Sequence, residues 1–481
     1  MLFIYLEKQK NTLNIENAVY SFFMNSSAAP GFEISIMEVK VAKKEIDKPK
    51  KINRRQFFQA SAAGSIMGAT ALTANKGKLC ADIVRDSVTQ EREDFPVVIT
   101  DKCKRMHQKD TIFCRQLWDY DFVKKVMAIE EAAEPKPSEP AKGWTQLDQA
   151  LNAAGWAVDN KFAAGSENGQ PHSQAYVWDE PARRRRLEFK GPDDAAKKVK
   201  KAAHFLGASL VGISRYDPLW TYSHLLKEKI DENASQEGPP QFDIISPDFP
   251  FKPKSVVVIA VEMDYKTIAL SPSSLEGAST GLGYSHMASV GYSVATFLRE
   301  LGYKSFACGN DVSLSIPYAV AAGLGELGRN GLLVTREFGP RIRLVKVFTE
   351  LEIKPDRPKT FGVWDFCKSC KRCAESCPSG AISFDKPTLK GETVSNNPGV
   401  LKWYINPEKC IEFWAENGSD CANCITACPY NKPDMWHHEL SAAVTALPAA
   451  PLHALMAKMD KAFGFGKIQG EKANAAFWDS E

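Results

Sequence analysis

No run of 18 apolar residues occurs in the 481-residue chain, so no segment reads as a transmembrane helix. If the protein works at a membrane, something else must hold it there. There is no Walker A loop. The dinucleotide pattern Gly-x-Gly-x-x-Gly fits Gly323-Leu324-Gly325-Glu326-Leu327-Gly328, but that stretch follows a helical run rather than a strand. It reads instead as a turn packing close to something flat. Net charge is only +3, too little to argue for nucleic acid. Histidine is scarce, at 8 residues. What remains is an ordinary globular composition, 44% hydrophobic and 25% charged, in a chain long enough for two or three domains.

Cysteine is plentiful and concentrated. Of 12 cysteines, eight lie between Cys367 and Cys428. The first half is Cys367-x2-Cys370-x2-Cys373-x3-Cys377-Pro378; the second is Cys410, then Cys421-x2-Cys424-x3-Cys428-Pro429. The first half matches the bacterial ferredoxin run for [4Fe–4S] ligation, in which three thiolates wrap one cubane and the fourth reaches the other cluster. The expected sets are therefore Cys367, Cys370, Cys373 and Cys428 for one cluster, and Cys410, Cys421, Cys424 and Cys377 for the other. Four-cysteine zinc sites also use Cys-x2-Cys pairs. Spacings of 2, 2 and 3 with two Cys-Pro endings favour iron–sulfur. A ferredoxin has two residues where ten separate Cys410 from Cys421. That stretch, Ile411 to Asp420, reads as a loop covering one side of its cluster with Phe413 and Trp414. Cys80, Cys103, Cys114 and Cys308 match no ligand spacing and read as free thiols.

Near the N-terminus, Lys50-Lys51-Ile52-Asn53-Arg54-Arg55-Gln56-Phe57-Phe58-Gln59 carries a twin arginine, followed by small and apolar residues from Ala60 to Ala74. This resembles a twin-arginine export signal over 37–74, although Asn53, Phe58 and Gln59 depart from its usual residues. Residues 1–36 resemble no part of a signal, and Met37 or Met24 is the expected start of translation. The segment 75–190 reads as a wrapping N-terminal unit, helical around Arg115–Glu131. It has a proline-rich linker at Ala133–Pro140 and a solvated basic block at Arg183–Arg186.

From Gly191 the pattern becomes regular. Asp193 or Asp194 is expected to cap a helix running to Leu206. Ser209–Ile213, Ser255–Val261 and Arg343–Phe348 read as strands, and Tyr284–Leu301 as a helix closed by Gly302. Another helix begins at Ile316. The expectation is an α/β (α+β) core over 191–359, a two-cluster module over 360–435, and a C-terminal extension over 436–481 that packs back on them.

All eight ligands of two such clusters are sulfur, so no iron is open for bond chemistry and the core must hold the reactive centre. At this point the chain resembles the catalytic subunits of respiratory reductive dehalogenases. The resemblance rests on Phe338-Gly339-Pro340-Arg341-Ile342-Arg343, on Asp365-Phe366-Cys367 with its cysteine run, and on Cys428-Pro429-Tyr430-Asn431-Lys432. It covers most of 192–440 and the export signal. It implies a nitroreductase-like core binding a base-off corrinoid of the cobalamin type beside a ferredoxin-like module. It also implies Co(I) fed by the two clusters, and halogen replaced by hydrogen on a chloroethene or haloaromatic substrate. The chain lacks Asp-x-His-x-x-Gly, so cobalt is expected to have no protein histidine, and His286 reads as structural or surface. Three positions carry over from the chloroethene-reducing members: Tyr284 as proton donor, Arg343 beside it, and Asn310. A guanidinium stabilises the phenolate left when a tyrosine gives up its proton. An amide can orient the tyrosine or polarise the departing halide. Asn310, where a phenol-reducing relative carries lysine, leans towards haloalkenes. The implied partners are a small membrane-anchor subunit and a quinol-linked donor, at the outer face of the cytoplasmic membrane. A homodimer is compatible with this, and no nucleic acid is expected. The alternatives are an epoxyqueuosine reductase-like enzyme, which the export signal argues against, and a non-catalytic iron–sulfur carrier. About 290 mature residues before the first cluster cysteine are more than a carrier needs.

Overall fold

Three segments rich in β-branched residues fix the central sheet. The computed structural model describes residues 88–133, 143–163, 175–176, 180–228, 242–247, 249–433, 445 and 450–479. The expected export signal, the residues before it, residues 134–140 of the linker, Cys80, Trp436, His437 and His438 lie outside the described residues.

The sheet has four strands: β1 (Leu210–Arg215), β2 (Ser255–Glu262), β3 (Ser305–Cys308) and β4 (Ile342–Thr349), in the order β1-β2-β4-β3. Every pairing is antiparallel, with Val258 opposite Lys346 and Cys308 also opposite Lys346. Alternation of strands with helices along the chain therefore does not make a parallel sheet here, and the α+β description applies. Side chains alternate across a strand. Val257, Ile259, Val345 and Val347 face one core cluster, and Val256, Val258, Ala260 and Phe348 face the other. Both faces are covered, which is why Ser255–Val261 is buried throughout.

The first face is covered by the helix Ser274–Glu300, which starts ten residues before the expected Tyr284 and ends with Gly302 at φ +85 as expected. Gly277, Gly281 and Gly283 look like helix breakers in the sequence. At Gly277 and Gly281 another helix, Gln146–Val158, comes close, and at Gly283 the side chains of Arg343 and Met263 do. A Cβ on Gly281 would lie 2.4 Å from the Trp156 indole, and one on Gly155 would lie 2.5 Å from the Ala278 carbonyl oxygen. Gly155→Ala is expected to cost about 1–3 kcal/mol of stability through overpacking. Thermal unfolding measures it, and an unchanged midpoint would contradict this close approach.

The helix Pro192–Phe205 is not capped by Asp193 or Asp194. Gly191 occupies the N-cap, and the Asp194 carboxylate accepts from the Lys190 amide at 3.2 Å. The expected helix around Arg115–Glu131 is two, Ile112–Trp118 and Tyr120–Ala132, divided where Asp119 caps the second. The second packs Phe122 and Val126 on Ile411 and Ala415. That corrects the reading of Ile411–Asp420 as a loop over a cluster. Pro407–Asn417 is a helix, and its Trp414 meets Phe113 at 6.1 Å between ring centroids. Gln90–Glu91 pairs with Lys359–Thr360, and Arg115 bridges to Glu408 at 2.5 Å. In the basic block, Arg184 pairs with Glu300 at 2.9 Å and Arg186 with Glu350 at 2.6 Å. Glycines 323 and 325 close on protein backbone, the carbonyls of Arg357 and Val334. The helix Ala450–Ala462 lies on the cluster module, with His453 buried against Phe366.

Candidate active site

Alternation along β4 puts Arg343 on the face towards the long helix, where Tyr284 stands one turn after Thr280. The Arg343 guanidinium lies 4.7 Å above the Tyr284 ring centroid and donates to Thr280 Oγ1 at 3.0 Å. On the ring's surroundings Trp156 stacks at 5.1 Å and 23°. The phenol is thus clamped between a cation and an indole, both fixed by secondary structure.

Acids surround the guanidinium. Thr280 Oγ1 donates to Glu276 Oε1 at 2.8 Å. Burial, then the neighbouring Asp420, holds the Glu276 carboxyl well above the usual range. Burial also raises Asp420, with Arg343 acting against it. Asp159 begins a short π-helical segment and is pushed up to about 6 by burial, again with Arg343 opposing.

Asn310 does not touch Tyr284 or Arg343. It is exposed on the loop after β3, its Oδ1 accepting from Ser315 Oγ at 2.8 Å. The register running Cys308 opposite Lys346 carries this loop towards the Arg343 end of β4. Tyr176 spans the gap. It is buried, it lies against Gly309, and Asp311, Asp159 and Tyr284 all bear on its hydroxyl. His286 is exposed on the long helix. Cys103, Cys114 and Cys308 are free and buried.

Of the eight cysteines Cys370 is buried and the other seven are half-buried, and their electrostatic neighbours sort them into two sets. Cys367 is pushed well up by burial and then by Cys370, Cys428 and Cys373. Cys410 is pushed up to about 12 by burial and then by Cys377, and Cys424 by burial and then by Cys421, Cys410 and Cys377. Thiolates so crowded would repel one another, and iron, which binds thiolates, supplies the positive charge that offsets this. Among the described residues no three His, Cys, Asp or Glu converge closely enough for a single metal ion. Ligands of a cubane each bind a different iron and have no need to converge.

Two buried arginines from the core reach into this module, Arg341 from the motif quoted above and Arg329, which the sequence did not single out. Arg329 is 2% exposed; it donates to the Cys367 carbonyl at 2.9 and 3.1 Å and to the carbonyls of Ser383 and Asp385 at 2.8 and 3.0 Å. It lies 4.6 Å over Trp403. Arg341, also 2% exposed, donates to Asn431 Oδ1 at 2.9 Å and to Glu262 and the Met263 carbonyl. A Cβ on Gly339 would lie 2.5 Å from the Tyr430 carbonyl oxygen. The Phe338–Arg343 and Cys428–Lys432 motifs are therefore two sides of one seam. Nearby, Leu332 and Cys424 pack against a cluster of Met263, Ile268, Ala422 and Ile425 that joins core and module. Asn330 Nδ2 on the core side and Asn423 Oδ1 on the module side are buried without a protein partner. One donor and one acceptor left over in this way fit a macrocycle rimmed with amides, as a corrinoid is.

Such an assembly is an iron–sulfur oxidoreductase with a phenol held beside a guanidinium in its core. A model of the 4Fe-4S dicluster domain matches residues 366–432. The tetrachloroethene reductive dehalogenase of Dehalobacter restrictus is 34% identical over 86% of this chain and 94% of its own length. That of Sulfurospirillum multivorans is 30% identical over 88% and 92%. The chain belongs to the reductive dehalogenases, corrinoid-dependent iron–sulfur enzymes acting on carbon–halogen bonds. The fold agrees with the solved catabolic reductive dehalogenase NpRdhA, at TM-score 0.57 and 22% identity over 80% of this chain. The chain spans about half the length of that structure, 50%. An epoxyqueuosine reductase of Listeria monocytogenes is a more distant relative, 29% identical over 56% of this chain.

Proposed function

We propose that this chain is the catalytic subunit of an organohalide-respiring system, replacing halogen by hydrogen on a haloalkene. The observation that carries this is the Arg343 guanidinium 4.7 Å over the Tyr284 ring. Replacing a carbon–halogen by a carbon–hydrogen bond takes two electrons and one proton. The corrinoid, when bound, supplies the two-electron reducing centre. Cys367, Cys370, Cys373 and Cys428 hold one [4Fe–4S] cluster, and Cys377, Cys410, Cys421 and Cys424 hold the other, as the two groups of neighbouring thiols support.

Tyr284 gives the proton from its hydroxyl. Arg343 cannot accept that proton, because a guanidinium stays charged; it balances the phenolate instead. Thr280 and Glu276 fix the guanidinium, and Trp156 keeps water from one face of the ring. Asn310 meets the departing halide. The core would be of the nitroreductase-like kind, and, lacking Asp-x-His-x-x-Gly, the chain would hold the corrinoid through groups such as Asn330 and Asn423 rather than through a histidine. The substrate preference for haloalkenes follows relatives named for tetrachloroethene and the amide at Asn310. No helix among the described residues is long and apolar enough to cross a membrane. With the twin arginine at Arg54-Arg55, that supports export and attachment through a small anchor subunit that brings electrons from a quinol.

Purified enzyme is expected to hold about eight iron and about one cobalt per chain, the iron following from two four-iron clusters. It should turn over chloroethenes faster than chlorophenols and leave epoxyqueuosine unchanged. Zinc without cobalt, or turnover of epoxyqueuosine alone, would overturn the proposal.

A further inference from the structure

Lys346 is an anomaly of the central sheet. It stands in β4 between Val345 and Val347 and is 0% exposed. An ammonium is costly to bury unless its donors find acceptors. Lys346 Nζ donates to the carbonyl of Gly309, to Ser315 Oγ at 2.6 Å and to the carbonyl of Ser313 at 3.4 Å. All three acceptors belong to residues 309–315, the stretch that carries Asn310. Burial works against the charge, Cys308 and Asp311 beside it work for it, and its donors go to the Asn310 loop and to the first residue of the helix after it.

The hydrogen bonds continue in one direction. An ammonium has hydrogens to give and no lone pair to receive. Ser315 Oγ therefore accepts from Lys346 and keeps its own hydrogen, which it donates to Asn310 Oδ1 at 2.8 Å. The Asn310 carbonyl is thus engaged, and its two Nδ2 hydrogens are left for whatever enters the site. With the amide reversed, Nδ2 and Lys346 would both donate to Ser315 Oγ, and the serine hydrogen would lose this acceptor.

We propose that Lys346 and Ser315 are positioning residues that fix the Asn310 amide with its N–H groups towards the substrate, making it the donor for the departing halide. This rests on the dehalogenase reading above and deepens it. A halide anion accepts hydrogen bonds, and an amide oxygen in the same place would repel it. A buried cation at the head of the chain polarises each bond after it.

Ser315→Ala removes the middle link and leaves the sheet intact. It is expected to lower kcat/KM about tenfold and to weaken inhibition by added bromide by a similar factor, the scale of one hydrogen bond. Iron and corrinoid content should not change, and Ser315→Thr, which keeps the hydroxyl, should restore both values. Should Ser315→Ala fold poorly, Asn310→Asp reads the same device, because a carboxylate held by Ser315 shows only an acceptor. It should lose bromide inhibition altogether. Unchanged bromide inhibition in Ser315→Ala or in Asn310→Asp overturns the relay. Asn310→Ala separates this from the broader reading: if it impairs turnover while Ser315→Ala does not, the site stands and the relay falls.

Discussion

Tyr284→Phe is expected to reduce dehalogenation by roughly 10²–10⁴-fold, the usual worth of a positioned general acid. Its iron and corrinoid content should stay at the wild-type level. The variant is a clean test because so little else changes. Phenylalanine keeps the ring that stacks on Trp156 at 5.1 Å and lies under Arg343 at 4.7 Å. Only the hydroxyl is removed, so packing and the cation–π contact survive. Turnover per corrinoid-loaded chain is the quantity to measure. Unchanged turnover would remove Tyr284 from the reaction and point to another buried acid around Arg343, with Asp159, Glu276 and Asp420 as candidates in place.

Cys377→Ala and Cys428→Ala are expected to unsettle both clusters, whereas Cys421→Ala should strip chiefly one. The reason is the proposed crossing of the two halves. Cys377 belongs by sequence to the first run yet bears on Cys410 and Cys424. Cys428 belongs to the second run yet bears on Cys367 and Cys373. Removing either takes a ligand from one cluster and frees the chain segment carrying three ligands of the other. Iron content should fall from about eight to below four in the crossing variants, and to about four in Cys421→Ala. Spectra of the reduced protein would show which cluster survives. If Cys377→Ala destroyed only the cluster held by Cys367, Cys370 and Cys373, the sets would be uncrossed.

The strands were legible because β-branched runs such as Ser255–Val261 report burial directly. The cysteine spacing was legible because ligation is a local constraint. The start of the long helix was not: Gly277 and Gly281 argue against a helix until the neighbouring Gln146–Val158 is known. The Pro407–Asn417 helix carried its own signals, with Asn406 capping, Pro407 at the first position and Gly418 at φ +75 beyond the end. The expectation of a ferredoxin-like gap hid them. Arg329, Arg341 and Trp156 act through partners about 40 to 130 residues away, a distance over which a single sequence has no periodicity to display. Lys346 left one trace, a charged residue inside an apolar strand, whose meaning depended on a loop more than thirty residues earlier.

Arg329 and Arg341 also bear on timing. Each is buried, rooted in the core and bonded to backbone or side chains of the cluster module. A carrier that swings between donor and acceptor needs a hinge and a wet interface; this seam is sealed by two cations whose release would leave buried charges unmet. Electron arrival is therefore expected to need no domain motion. The two units should act as a fixed conductor, leaving mobility to what enters and leaves: donor, organohalide, halide and product.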